Sequence, residues 1–275
     1  MRQRDVAHPF HGVSGAELDL DTMFGRCSAF EPLLLDGQLF SHVTALGLYG
    51  VPLPPWLEAE PLHLSVRFPR TPPRGEGVSG HSLRKLTGTI HLGFPIAEVG
   101  FAWCQSATIL SREDLVAAGD ALVTGPRIAG VRQPGVTTRE RLESVAGELR
   151  ASPGSARIAW ALPRIRSGVD SRPETLLRLM CVRARLPEPL VDHAIPVAGG
   201  LVLHADLAYA DARIVLDYEG DVHRVDRATW LRDLQRRELF EDAGWRVIRV
   251  TSADLFGDPD ALIARLRTLR RARTR

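Results

Sequence analysis

Residues 201–219 constrain this chain more than any other stretch, because their apolar and acidic positions alternate with the period of a β-hairpin. With a two-residue turn at Asp211 and Ala212, Asp206 falls opposite Asp217 and His204 opposite Glu219. On the other face Leu207 meets Leu216, Tyr209 meets Ile214 and Ala205 meets Tyr218. One face is a core surface, and the other carries three carboxylates and a histidine. Like charges directly opposite each other destabilise a sheet. Something must offset the repulsion, and a divalent cation is the obvious candidate. The plainer alternative is an amphipathic hairpin whose acidic face is solvated.

A cation held by this face points to phosphodiester cleavage, which needs a metal to polarise phosphate and to generate hydroxide near neutral pH. Magnesium takes oxygen ligands and keeps several waters, so two or three carboxylates suffice. Asp206 and Asp217 are the expected metal ligands. Glu219 shares their face and is expected to bind metal or orient water. His223 lies just beyond the strand end and titrates in the range of a general acid or base; the alternative is a surface-loop histidine. Glu174 completes a capping box with Ser171, which accounts for it locally, while its place in a first helical turn can still aim it at the acidic face.

The net charge of +2 does not by itself announce a nucleic-acid partner. Its distribution says more: residues 265–275 hold six arginines, Arg270 and Arg271 among them, and no acid. This tail is a candidate phosphate contact, or equally a solvated helix end. Arg227, Arg232 and Arg236 are further candidates, although they alternate with Asp233, Glu238 and Glu241 in a way that also fits a salt-bridged surface. Trp230 and Trp245 read as core aromatics. The chain has no Walker loop, GxGxxG, HExxH or GxSxG, which argues against nucleotide triphosphate, dinucleotide, zinc-protease and serine-esterase chemistry.

At 275 residues and 44% apolar content, about two domains with sizeable cores are expected. No apolar run is long enough for a membrane span, and the N-terminus lacks a signal-type apolar region. Cys27, Cys104 and Cys181 form no CxxC pair, so a reducing cytoplasm is expected, with each cysteine a small buried residue. Residues 1–125 mix short helices and strands. They include helical stretches within 19–35 and 40–49, an alternating strand at 62–68, a proline- and glycine-rich loop at 69–80 and a capped helix at 111–122. Residues 126–170 read as a helical linker, with helices near 138–150 and 156–165. The last domain, 171–275, has the order helix, strand, strand, strand, helix, strand, helix. That order implies an α/β fold with a mixed sheet flanked by helices.

These C-terminal residues resemble the very-short-patch-repair-endonuclease-like domain found in many actinobacterial proteins. The shared pattern is Glu174 early in a helix, Asp206 on a strand, then Asp217-Tyr218-Glu219-Gly220 with His223 nearby, an arginine-rich helix and Gly244-Trp245-Arg246-Val247-Ile248-Arg249-Val250. The resemblance covers about 171–270 and implies a restriction-endonuclease-like fold, with catalytic roles for Glu174, Asp206, Asp217, Glu219 and His223. It further implies Mg2+ or Mn2+ as cofactor and DNA as partner. Glu219 stands where the fold's common motif has lysine, and that family more often reads Glu-Tyr-Asp-Gly here. In the N-terminal region, Phe40-Ser41-His42-Val43-Thr44-Ala45 with Gly50-Val51-Pro52, Gly80-His81 and the 114–120 segment are similar to abortive-infection-type antitoxin proteins. The expected function is a metal-dependent DNA endonuclease. The alternative is an inactive nuclease-fold regulator that binds DNA or a toxin partner. Neither a membrane nor a nucleotide cofactor is expected.

Overall fold

The computed structural model describes residues 7–10, 13–15, 19–128, 131–220 and 227–274. The chain divides into two units, Met1–Ile165 and Arg166–Arg275. No helix of the described residues is long and apolar enough to cross a membrane. All three cysteines are buried and unpaired, as their isolation in sequence implies.

In the N-terminal unit, β1 (Ala7–Phe10) and β2 (Val13–Gly15) form a short antiparallel pair. Helix α1 (Met23–Phe30) starts where the Thr22 hydroxyl accepts the Gly25 N–H. There follow β3 (Leu39–Phe40), α2 (His42–Leu48), β4 (Leu62–Arg67), β5 (Val78–Leu83), β6 (Gly88–His91) and β7 (Phe94–Ala97). Their strands make one mixed sheet in the order β5-β4-β3-β7-β6. The alternation expected of β4 is incomplete: every residue from Leu62 to Val66 is buried, because both faces of this strand are covered.

Helices α3 (Val99–Ser106) and α4 (Arg112–Val123), the strand pair β8 (Thr124–Ile128) and β9 (Val131–Pro134), and helices α5 (Arg139–Glu148) and α6 (Ser155–Ala161) complete this unit. Ser111 caps α4 through Asp114 as the spacing implies. The segment expected as a helical linker, 126–170, does carry two helices. They bury Leu142, Val145, Ile158 and Ala161, and the division of the chain falls after Ile165. A helix with a buried apolar face belongs to a core and cannot serve as a solvated spacer.

The C-terminal unit has the expected element order: α7 (Arg172–Arg183), β10 (Leu190–Pro196), β11 (Val202–Tyr209), β12 (Ile214–Glu219), α8 (Arg227–Asp242), β13 (Arg246–Thr251) and α9 (Pro259–Arg273). The sheet runs β10-β11-β12-β13, antiparallel up to β12 and parallel at the last pair. One face packs Leu207, Tyr209, Ile214, Leu216 and Ile248 against Leu177 of α7 and Leu262 of α9. The other packs Ala205, Val215 and Val247 against Phe240 of α8. The α/β architecture with helices flanking mixed sheets is thus observed.

The hairpin register is as expected where the strands pair: Leu207 faces Leu216 and Tyr209 faces Ile214. The connection is longer than two residues. It is a single 3-10 turn at Ala210–Ala212 followed by Arg213 in the left-handed region at φ 49°. Pairing between β11 and β12 ends at Leu207–Leu216, and the β10–β11 ladder skips the position where Asp192 faces Asp206. Asp192 has φ 50°. Across this irregularity the alternation of β11 inverts, so Ala205 packs in the second core, while Tyr218 packs against the first. The expected Ala205–Tyr218 and His204–Glu219 pairs are therefore not formed. His204 instead hydrogen-bonds Asp192 on β10 through Nδ1 at 2.7 Å.

Candidate acidic site in the C-terminal unit

Four acids gather where β11 and β12 separate. Glu174 enters from the first turn of α7, where Ser171 is the N-cap and accepts the Glu174 N–H. The Glu174 carboxylate in turn accepts the Ser171 hydroxyl at 2.6 Å and the Asp170 N–H at 3.0 Å, closing the capping arrangement read from the sequence. Glu174 is only 7% exposed. Burial, followed by the charge of Asp206, pushes its carboxyl up to about 7, against the two hydrogen bonds that favour the ionised form.

Asp206 is likewise raised, first by burial and then by Asp170, and it is held down by the Arg236 guanidinium. Its carboxyl hydrogen-bonds that of Asp217. That hydrogen bond acts with Arg236 to favour the ionised form of Asp206, against burial and Asp170. The repulsion anticipated from the hairpin is real. In this structure the Arg236 guanidinium beside Asp206 offsets it.

Arg236 comes from α8. One of its nitrogens lies 3.4 Å from Asp206 Oδ1 and also donates to the His204 carbonyl. Its guanidinium lies 5.5 Å from the Phe240 ring centroid. Arg236, expected as a phosphate contact, is turned into the acidic site. Arg237 forms the solvated i,i+4 pair with Glu241 that the charge alternation implies.

Glu219 does not join Asp206 and Asp217. It pairs with Arg249 of β13, which lies diagonally across the parallel ladder, in register with Asp217. Among the described residues no three carboxylate donors lie within 4.8 Å of one another, so the ligand set Asp206, Asp217 and Glu219 is not assembled. The reason is topological. A parallel neighbour strand supplies an arginine to Glu219 at the point where β12 has left β11. His223 lies outside the described residues, and so do the side chains of Arg227 and Arg232.

The arginine-rich end of the chain is partly structural. Arg270 stacks 4.7 Å from the Tyr209 ring centroid and pairs with Asp211, which corrects its reading as a phosphate contact. Arg273 donates to the carbonyls of Ala212 and Gly244, and Arg267 to that of Ala184. Arg271 is exposed.

A second cluster lies in the N-terminal unit. His42, His63 and His81 each offer a donor nitrogen within 4.8 Å of the others. In the sequence, His42 and His81 stand out only within the segments similar to antitoxin proteins, and His63 only as a position of the strand expected at 62–68. These residues sit on three separate elements and share no local spacing motif, so only the fold reveals their meeting.

No family model matches the chain, and no solved structure matches it. It is similar to two uncharacterized proteins of Mycobacterium tuberculosis, MT2308 of strain CDC 1551 / Oshkosh and Rv2248 of strain ATCC 25618 / H37Rv. Each is 29% identical over 175 residues, which covers 62% of this chain and 61% of the relative. The chain thus spans about three fifths of the length of these curated relatives.

Proposed function

We propose that the C-terminal unit is a restriction-endonuclease-like module that hydrolyses DNA phosphodiesters with Mg2+ or Mn2+. The reading is carried by the meeting of Asp206 and Asp217, carboxyl to carboxyl, beside the buried Glu174. Two neighbouring acids concentrate negative charge that a cation can neutralise, and an oxygen-only donor set suits magnesium. When bound, the cation polarises the phosphate and lowers the pKa of a coordinated water. Asp206 and Asp217 hold it, and Asp170 adds negative potential. Glu174, with its carboxyl near neutrality, lies in the range of a general base for water. Arg236 is placed to exchange Asp206 for a phosphate oxygen. Glu219 and His223 keep their proposed parts as water-orienting group and proton carrier. Arg227, Arg232 and Arg271 are the proposed contacts to the DNA backbone. The N-terminal unit would select or present the DNA, and the three unpaired cysteines support a reducing, cytoplasmic setting.

A second reading rests on the ion pairs Arg236–Asp206 and Arg249–Glu219, which already neutralise two of the acids. Under it the module is an inactive nuclease fold that binds DNA, or a toxin partner, without turnover. Supercoiled plasmid incubated with the purified chain and Mn2+ or Mg2+ separates the two readings. Nicking that disappears in Asp206→Asn and Asp217→Asn supports the endonuclease. Metal-independent retardation of DNA with no nicking supports the regulator.

A further inference from the structure

The histidine cluster of the N-terminal unit is built with unusual care for groups that carry no charge. Its members come from the first residue of α2 and from the adjacent parallel strands β4 and β5, of which β5 is a sheet edge. The His42 and His81 rings stack at a centroid distance of 3.9 Å, and His63 Nδ1 lies 2.9 Å from His81 Nε2. His42 and His63 are almost fully buried, and His81 is half-buried.

The surroundings orient these rings. His42 Nδ1 lies 2.9 Å from Ser41 Oγ, and Ser65 donates to that oxygen at 2.7 Å. With its proton on Nδ1, His42 donates to Ser41 and leaves Nε2 unprotonated, the arrangement that fixes a metal-binding tautomer. The backbone N–H of His42 donates to Gln105, and that of His63 to Thr44. His42 itself is held at φ 52°, a left-handed conformation that a non-glycine residue keeps only where its surroundings impose it. Beside His81, a Cβ on Gly80 would lie 1.9 Å from the Pro73 carbonyl, so only glycine lets β5 run this close to the preceding loop.

One ring atom is left without a partner. His63 Nε2 is buried and makes no hydrogen bond, although His63 is 5% exposed. Buried polar atoms are nearly always satisfied, so an orphan within a nitrogen cluster calls for a ligand.

We propose that His42, His63 and His81 form a zinc site, distinct from the acidic site of the C-terminal unit. Imidazole donors suit zinc and other late transition metals and not magnesium. Tetrahedral zinc with bonds of about 2.0 Å places its ligands roughly 3.3 Å apart. Donors within 4.8 Å of one another would close to that spacing by rotation of the rings out of their present stack. Three protein ligands would leave a fourth position for water or another small ligand.

The test uses the full chain stripped of metal by chelation and titrated with Zn2+ by calorimetry, and with Co2+ by visible absorption. One equivalent of Zn2+ per chain and intense tetrahedral Co2+ bands are expected. His63→Ala and His81→Gln should weaken zinc binding at least 100-fold, and Asp206→Asn should leave it unchanged. Circular dichroism checks folding. His81→Gln, on an edge strand and half-buried, keeps the test valid if His63→Ala misfolds. The proposal is overturned if the wild-type chain binds no stoichiometric zinc. It is equally overturned if zinc survives folded His81→Gln, or if binding is lost in Asp206→Asn.

Discussion

Asp206 of β11 and Asp217 of β12 hydrogen-bond to each other immediately beyond Leu207 and Leu216, the last residues at which the two strands pair. The geometry of the whole acidic site follows from that junction. If the ladder continued, the acids would be held at the spacing of the strands and would only repel each other. Because it ends, the two side chains turn to each other, and Glu174 and Arg236 approach from α7 and α8.

The Glu174 carboxyl makes stability depend on pH. It rises from 4.5 to about 7 on folding. Its contribution is therefore full below the unfolded value and is lost as pH climbs through about 7. The loss is of the order of 3 kcal/mol by linkage. Glu174→Gln should flatten the profile and gain roughly 1–3 kcal/mol on the wild type between pH 5 and pH 8. Urea unfolding across that range measures it. Parallel curves for the two proteins would refute the assignment.

Arg236 competes with any cation for Asp206. Arg236→Gln removes a positive charge next to the acidic pair while keeping a donor to the His204 carbonyl. Mn2+ binding at pH 8 should tighten roughly tenfold, the effect of removing one nearby like charge in a partly screened site. Calorimetry on both proteins decides it, and equal affinities would mean that Mn2+ does not sit beside Asp206.

The two neighbouring arginines of α9 should behave differently. Arg270→Ala strips the cation from the Tyr209 ring and the partner from Asp211, and should cost about 1–3 kcal/mol. Arg271→Ala, at an exposed position, should stay within about 0.5 kcal/mol. Thermal denaturation of both variants tests this, and equal midpoints would contradict a structural role for Arg270 at Tyr209 and Asp211.

Gly80→Ala puts a methyl group into the Pro73 carbonyl, where only backbone movement can relieve the clash. A loss of about 1–3 kcal/mol is expected. Displacement of β5 should also shift His81, so zinc binding should weaken together with stability. A variant as stable as the wild type would show that the loop yields.

Much of the C-terminal unit is legible from local pattern. Ser171 and Glu174 mark the start of α7, the alternation of 207–216 sets which residues of the hairpin meet, and Gly244 at φ 83° ends α8. These features depend on residues a few positions apart, over which hydrogen bonding and side-chain periodicity act directly. In the N-terminal unit the same reasoning finds β4 but not the burial of its second face.

Sequence alone determined the order of the elements in the C-terminal unit, the caps of α4 and α7 and the Leu207–Leu216 register. Tertiary structure alone decided the counter-ions of Asp206 and Glu219 and the company of His63. Arg236 and Arg249 each lie 30 residues from the acid they neutralise, and the three histidines come from separate elements. Periodicity assigns a side chain to a face of its own strand or helix. Which charge or imidazole it then meets depends on how strands and helices distant in the chain pack together, and that is settled by burial and topology rather than by neighbouring residues.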